Sequence, residues 1–222
     1  MRTIAIGDIH GSLRALQTLL AAIRPTPDDR IIFLGDYIDG GPDSKGVLDC
    51  LISEPSLQSA IFLRGNHEVM MLEARADDLK SGFWFDCGGL NTLLSYDAGK
   101  RSDWPSCVPP SHWRFLENTR RFYETENHIF IHASVDPDLG LREQPDFLLF
   151  WEFFDTIQPH RSGKKIVCGH SRQESGAIKD LGFALCIDTG ACKGGWLTGL
   201  DVEAGNFWQA SETGQTHTGR LS

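Results

Sequence analysis

The sequence predicts an α/β fold, and three observations lead to this prediction. Short apolar, strand-like segments alternate with helical ones through the first eighty residues. Each of these strands ends in a short polar loop flanked by glycine. Beyond residue 183 the helical spacing is replaced by short strand-like runs joined by glycine-containing turns, a pattern typical of an antiparallel meander. We therefore expect a parallel sheet covered by helices, followed by antiparallel strands.

The first eighty residues predict a βαβαβα unit. Leucines and isoleucines recur at helical spacing after Ser12, a plausible N-cap, until Pro25 and Pro27 end the first helix. The apolar run Ile31–Leu34 has the length and composition of a buried strand. The strands are expected at 2–6, 30–34 and 60–63, and the helices at 12–23, 44–53 and from Val69 to about Leu79.

The alternation of strands and helices stops between residues 81 and 126. Three tryptophans, Trp84, Trp104 and Trp113, and several prolines occur here, which predicts a helical cap inserted into a single domain covering residues 1–222. We expect the aromatic residues to pack a small satellite core.

Strand patterns resume after residue 126. The expected strands are 128–131, 165–168, 183–187, 195–202 and 206–209, with a helix over about 143–155. The last three strands are expected to form the antiparallel meander. The tail, 212–222, is polar and is expected to be frayed.

Composition narrows the class of protein. The formal net charge of −9 disfavours non-specific nucleic-acid binding, which needs clustered Lys and Arg. No apolar stretch approaches the ~18 residues typical of a membrane span, and strand pattern from residue 2 leaves no room for a signal peptide. The six cysteines show no CxxC spacing. These features predict a cytoplasmic protein with reduced thiols and neither nucleic-acid nor membrane partners.

Side chains that bind metals or transfer protons follow five of the predicted strands. They are Asp8 and His10, Asp36 with Asp39, Asn66 and His67, His132, and His170. A single loop of this kind is weak support, because glycine–aspartate turns and isolated histidines are common. Five such loops together are stronger support for a functional site, since an α/β sheet brings its strand ends to one edge, where ligands bind.

The residue types predict a pair of divalent cations. Carboxylates, imidazoles and one carboxamide, without thiolate, suit Mn²⁺, Fe²⁺ or Zn²⁺ better than a structural zinc site. The donors are too numerous for one ion, and two ions sharing a bridging carboxylate fit their number. Two such ions would make hydroxide available near neutral pH and neutralise a phosphoryl group under attack.

At this point the motifs resemble those of a known family. The series Asp8-Ile9-His10-Gly11, Gly35-Asp36-Tyr37-Ile38-Asp39, Gly65-Asn66-His67-Glu68, His132-Ala133 and Gly169-His170 is similar, in order, to that of the calcineurin-like metallophosphoesterases. Within them the chain resembles the phosphoprotein phosphatase branch, in its bacterial form. The resemblance extends from residue 1 to about 210 and implies a two-sheet αββα sandwich with a small helical cap.

The resemblance also implies a role for each residue. Asp8 and His10 would bind the first metal, Asp36 would bridge both, and Asn66, His132 and His170 would complete the second site. His67 would be the general acid that protonates the leaving group, oriented by Asp39. A donor with a pKa near 7 suits this task, and a carboxylate partner fixes the histidine tautomer. The alternative for His67 is a structural role beside the metal ligands.

The sequence departs from the family at Gly40, where the family usually has an arginine that clamps the substrate phosphate. The stretch Leu148–Phe153, where a second such arginine is expected, contains none. Losing a clamp removes charge-assisted hydrogen bonds worth ~1.5–3 kcal/mol each and predicts slower turnover rather than inactivity. Gly40→Arg is then expected to raise kcat/KM, unless another residue already fills that role.

The leading interpretation is a manganese-dependent phosphatase that hydrolyses phosphomonoesters through metal-bound hydroxide, with phosphoserine or phosphothreonine in a protein as substrate. A first alternative is a symmetrical dinucleoside tetraphosphate hydrolase. A second, supported only by Gly40, is a weakly active or non-catalytic phosphate-binding scaffold. Iron or zinc could replace manganese, and the partner could also be a small phosphoester.

Overall fold

The architecture was obtained from a computed structural model that describes residues 1–99 and 101–221. Position 100 of the predicted insertion and position 222 of the predicted tail lie outside the described residues. The strands are β1 Thr3–Ile6, β2 Arg30–Phe33, β3 Ile61–Phe62, β4 Tyr123–Glu124, β5 His128–Phe130, β6 Lys165–Cys168, β7 Lys179–Asp180, β8 Ala184–Cys186, β9 Asp188–Thr189, β10 Trp196–Asp201, β11 Asn206–Ala210 and β12 Thr216–Arg220. The α-helices are α1 Leu13–Ile23, α2 Ser44–Ser53, α3 Asn66–Ala76, α4 Ser81–Trp84, α5 Leu90–Ser95, α6 Pro110–Glu117 and α7 Asp146–Trp151.

The strands form two sheets. The first has the order β12-β11-β10-β1-β2-β3, with β9 also paired to β10, and the second has the order β4-β5-β6-β8-β7. Strands β1, β2 and β3 run parallel, as the βαβαβα pattern predicted, and β5, β6 and β8 run parallel in the second sheet. The α/β fold is therefore confirmed.

The sheets pack face to face with helices outside. Residues from the first sheet (Ala5, Ile32) and the second sheet (Phe130, Val167, Leu185) form one buried cluster between the two. Helix α1 buries one apolar face against the outer side of the first sheet, and α7 contributes to the core on the outer side of the second. This two-sheet αββα sandwich confirms the predicted architecture.

The insertion between the sheets is mostly helical, as expected, but two of its predicted features are wrong. Its tryptophans join the main core instead of a satellite, with Trp84 and Trp104 ring centroids 5.0 Å apart. The helical part also ends before residue 126, because β4 pairs with β5. The short helices follow one another through a π-turn, Phe85–Gly89, in which Gly88 has a φ of 108°.

Two predictions about the C-terminal part are also wrong. The segment 183–187 was expected in the meander with 195–202, but β8 lies in the second sheet, parallel to β6. The tail was expected to be frayed, but β12 pairs with β11 over five residue pairs, completing the meander β10-β11-β12. Within the described ranges, no helix is both long enough and apolar enough to cross a membrane.

Candidate metal centre

The five predicted loops meet at one place because they follow parallel strands. Asp8 and His10 follow β1, Asp36 follows β2, and the remaining loops follow β3, β5 and β6. The β3 loop leads directly into α3, so that Asn66 is the first residue of that helix. The site therefore lies between the two sheets, where the carboxyl ends of both sets of parallel strands converge.

Two groups of potential metal ligands share Asp36. In the first, ligand atoms of His10, Asp36 and His67 all lie within 4.8 Å of one another, and in the second those of Asp36, His132 and His170 do. The Asp36 Oδ2 atom is 3.4 Å from His10 Nε2 and 3.5 Å from His132 Nε2. Asp36 thus occupies the central position predicted for a bridging carboxylate.

Backbone carbonyls fix the orientation of three imidazoles. The His10 Nδ1–H donates to the Ile38 carbonyl at 3.0 Å, and the His132 Nδ1–H donates to the Leu34 carbonyl at 2.9 Å. In His170 the other ring nitrogen is the donor, and its Nε2–H donates to the Trp151 carbonyl at 3.1 Å. A carbonyl can only accept, so the second nitrogen of each neutral ring directs a lone pair into the site.

Asn66 adds a further acceptor to the second group. Its Oδ1 lies 3.0 Å from His132 Nε2 and 3.1 Å from His170 Nδ1, the two nitrogens that carry these lone pairs. Acceptors this close to one another repel unless a cation lies between them. The arrangement therefore suits a divalent ion bound by imidazole and amide oxygen.

Asp8 faces the same space, although it lies outside both three-residue groups. Its Oδ2 accepts a hydrogen bond from the His170 backbone at 2.9 Å, whereas its Oδ1 is buried and has no hydrogen-bond partner among the described residues. Gly169 makes the approach possible, because a Cβ at this position would collide with Asp8 Oδ1. An orphaned buried carboxylate oxygen is costly, and a bound cation would satisfy it.

The electrostatics of the centre also fit cations. Burial, followed by repulsion from Asp188 and Asp36, holds the pKa of Asp8 well above its usual range, and burial raises the pKa of Asp36 to about 8. Burial lowers the pKa of His10 to about 3 and also lowers the pKa values of His132 and His170. Neutral imidazoles are the form that binds metals, and bound cations would offset the carboxylate repulsion.

His67 and Asp39 form a pair beside the two groups. The His67 Nδ1–H donates to Asp39 Oδ2 at 2.8 Å, which leaves Nε2 facing Asp36 Oδ2 at 3.9 Å. Burial opposes the charged form of His67, but Asp36 and then Asp39 outweigh it and raise its pKa to about 9. Asp39 is fully buried and also accepts from Trp84 Nε1 at 2.8 Å and Thr92 Oγ1 at 2.6 Å.

A family model for calcineurin-like phosphoesterases matches residues 1–193. The chain belongs to this family.

Curated relatives fall into two functional groups. The chain is 44% identical over 85 residues to serine/threonine-protein phosphatase 1 of Salmonella typhimurium, covering 38% of this chain and 37% of the relative. It is 41% identical over 147 residues to a symmetrical bis(5'-nucleosyl)-tetraphosphatase of Coxiella burnetii, covering 64% and 44%. The matched segments span less than half the length of these relatives.

Solved structures support the same fold. A cold-active protein tyrosine phosphatase superposes with a TM-score of 0.67 at 17% identity, covering 98% of this chain and 78% of that one. A protein serine/threonine phosphatase from Saccharomyces cerevisiae superposes with a TM-score of 0.60 at 16% identity, covering 90% and 73%. At these identities the likeness concerns architecture alone.

Glu68, within the third motif of this calcineurin-like chain, braces the central loop. Its buried carboxylate accepts from the backbone N–H groups of Asp36, Tyr37 and Gly65, each at 2.9 Å. The nearby guanidinium of Arg64 points elsewhere and donates to carbonyls at the end of α6 and to Thr119. Glu68 therefore holds the β2 and β3 loops together without an ion pair to Arg64.

A cleft of about 220 Å³ opens onto the calcineurin-like centre. It is lined by His10, Gly40, His67, Cys87, His170, Arg172, Asp188, Gly190, Cys192 and Lys193. Gly40 has a φ of 79°, and a Cβ there would lie 3.3 Å from Cys192 Sγ. A side chain at position 40 would therefore be strained, which opposes the gain expected from Gly40→Arg.

Sequence reasoning missed two features of this cleft. Asp188 is buried and directly follows the apolar run 183–187, but it begins the two-residue strand β9 and is followed by Thr189 instead of a glycine. The sequence does not indicate a role for Arg172, because its place depends on how the loop after β6 folds back over Gly190. Arg172 and Lys193 are the cations that line the described cleft.

Proposed function

We propose that this chain is a metal-dependent phosphomonoesterase. The observation that carries the proposal is the sharing of Asp36 between two adjacent groups of potential ligands. Asp8 and His10 would hold one cation with Asp36, and Asn66, His132 and His170 would hold the other. Two divalent ions bound there would supply an activated water and neutralise phosphoryl oxygens. Manganese is the preferred candidate for both ions.

The residues beside the ions supply the remaining chemistry. His67 would hold a proton at Nε2 and donate it to the leaving oxygen, because its Nδ1–H is engaged by Asp39. Asp39 would keep the ring oriented, since three hydrogen bonds hold the carboxylate in place. Arg172 and Lys193 would attract the anionic substrate into a cleft whose lining also includes the carboxylate of Asp188.

We propose phosphoserine or phosphothreonine in a protein as the substrate. The support is the 44% identity to the bacterial serine/threonine-protein phosphatase over 85 residues. The second candidate is a symmetrical dinucleoside tetraphosphate, and the support is the longer match to the tetraphosphatase of Coxiella burnetii. The non-catalytic scaffold is the outcome if neither is hydrolysed.

The test combines metal analysis with three substrates. Protein reconstituted with Mn²⁺ should bind nearly two ions per chain and hydrolyse p-nitrophenyl phosphate, a phosphoserine peptide or diadenosine tetraphosphate. Asp36→Asn should lose most of the bound metal and at least about 100-fold in kcat, because one carboxylate serves both groups. His67→Asn should lose activity while keeping the metal.

Arg75→Gln is the matched control, because Arg75 lies on the same helix as His67 but pairs with the exposed Glu117. This variant should retain both metal and activity. Protein that binds no metal and hydrolyses none of the three substrates would refute the proposed enzyme and leave the scaffold.

A further inference from the structure

Arg172 and Lys193 line two neighbouring cavities. The first is the cleft over the candidate metal centre, and the second, of about 260 Å³, adjoins it. Arg172, Gly190 and Lys193 belong to both linings, so the two cations stand where the cavities meet. Gly190 has a φ of 78°, and the Arg172 stem lies against it, since a Cβ there would be 3.1 Å from Arg172 Cδ.

The second cavity is polar and contains none of the candidate metal ligands. Its remaining wall is formed by Gln173, Glu174, Ser175, Gly176, Thr189, Gly194, Gly195 and Trp196. Four of the lining residues are glycines, whose bare backbone allows close approach by a ligand. Glu174 is the one carboxylate in the lining, and its side chain is 83% exposed.

Both cations are free to bind an anion. Among the described residues Arg172 forms one ion pair, with Glu174 at 3.1 Å, and both side chains are exposed, so solvent weakens the pair. Lys193 ends a short helical turn and is exposed. The first cavity has the metal ligands for one phosphate, whereas the positive charge in the lining of the second comes from these two cations.

We propose that the second cavity is a subsite for a second anionic group of the substrate, adjacent to the phosphate that is hydrolysed. Arg172 and Lys193 contact this group from the wall shared with the metal cleft. In a protein substrate the group is an acidic side chain next to the phosphoserine. In an organic polyphosphate it is the next phosphate. The proposal rests on the proposed phosphoesterase function.

The test compares substrates with one and two anionic groups on manganese-loaded protein. The substrates are p-nitrophenyl phosphate, phosphoserine peptides with Asp or Asn beside the phosphoserine, and diadenosine tetraphosphate. The wild type should prefer either the Asp peptide over the Asn peptide or the tetraphosphate over p-nitrophenyl phosphate. Arg172→Gln and Lys193→Gln should each reduce that preference about tenfold, the effect of losing one charge-assisted hydrogen bond.

Two further variants test whether a change in substrate preference is specific to the second cavity. Lys179→Gln removes a cation that pairs with Asp155 outside both cavities and should change no preference. Glu174→Gln releases Arg172 and should raise the preference by about threefold at most. Metal content should be unchanged in all four variants.

The substrate pair whose preference falls in Arg172→Gln and Lys193→Gln identifies the source of the second anion. The pair is either the Asp and Asn peptides or the tetraphosphate and p-nitrophenyl phosphate. A preference that survives both substitutions, or an equal loss on every substrate, would overturn the subsite. Failure of the wild type to hydrolyse p-nitrophenyl phosphate or any other substrate would instead refute the proposed function.

Discussion

At the scale of single residues, the candidate centre depends on groups that hold its side chains in place. Each histidine proposed as a metal ligand donates one ring N–H to a backbone carbonyl, and Asp39 accepts from a histidine, a tryptophan and a threonine. Such partners fix tautomer and orientation, and their loss commonly costs activity without removing a ligand. The sequence did not indicate that Trp84 is a hydrogen-bond partner of Asp39. The two residues are 45 positions apart, and a tryptophan in this segment is expected to pack in a core.

We predict that Trp84→Phe lowers kcat for p-nitrophenyl phosphate about three- to tenfold, with KM and metal content unchanged. The ring remains in the core, but Asp39 loses one of the hydrogen bonds that hold it against His67, an effect of about 1 kcal/mol. Steady-state kinetics and metal analysis on purified protein measure the change.

Trp104→Phe is the matched control. Trp104 packs against Trp84 in the same aromatic cluster, and the side chains that donate to the Asp39 carboxylate are those of His67, Trp84 and Thr92. Trp104→Phe should lower the free energy of unfolding by about as much as Trp84→Phe and leave kcat unchanged. An equal loss of kcat in both variants would assign the effect to general packing of the cluster rather than to Asp39.

At the scale of elements, the parallel strands were predictable and the short ones were not. The strands β1, β2 and β6 each contain three consecutive apolar residues and lead into polar loops, and five such loops identified the candidate site. The segment around β8 has the same composition. Its pairing with β6 places it in the second sheet instead of the meander, and the local sequence does not encode this choice of partner. Strand β12 is polar and mostly exposed, so only its pairing with β11 shows that it is a strand.

An ion pair between Arg2 and Asp29 ties the start of β1 to the connection before β2. The Arg2 Nε–H donates to Asp29 Oδ1 at 3.0 Å, and Nη2 donates to Oδ2 at 2.5 Å. The carboxylate is 8% exposed and also accepts from the Thr26 backbone and hydroxyl. The hydrogen bonds from Arg2 hold the pKa of Asp29 well below its usual value.

We predict that Asp29→Asn lowers the free energy of unfolding by about 1–2 kcal/mol at pH 7, since Arg2 is partly exposed. A lowered native pKa gives stability that is fully present above the unfolded value, about 3.9, and is lost as the pH falls below it. The difference between variant and wild type should therefore shrink below about pH 4. Denaturant unfolding at pH 7, 5 and 3 measures it.

Asp103→Asn serves as the control for this prediction. Asp103 makes the same two-point contact with Arg101, at 2.8 and 2.6 Å, but both side chains are more than half exposed. Asp103→Asn should not measurably change the free energy of unfolding at any of the three pH values. A cost for Asp29→Asn that stays constant down to pH 3 would attribute the effect to packing instead of charge.

At the scale of the whole molecule, the candidate centre spans the interface of the sandwich. Asp8, His10 and Asp36 follow strands of the first sheet, whereas His132 and His170 follow strands of the second. Apolar residues pack the remainder of that interface. Cations held by both sets of ligands would therefore join the two sheets at the edge where buried carboxylates and imidazoles now face each other.

We predict that removing bound metal with EDTA lowers the Tm of the whole domain in one cooperative transition. Metal at a hundred times its Kd stabilises the folded state by about 2.7 kcal/mol, which corresponds to about 5–10 °C for a domain of this size. The ligands come from both sheets, so near-ultraviolet circular dichroism and tryptophan fluorescence should report the same shift. Asp36→Asn should abolish most of the difference between metal-loaded and EDTA-treated protein, because it removes the ligand common to both groups. Loaded and EDTA-treated wild-type samples that unfold at the same temperature would show that no metal joins the sheets at this site.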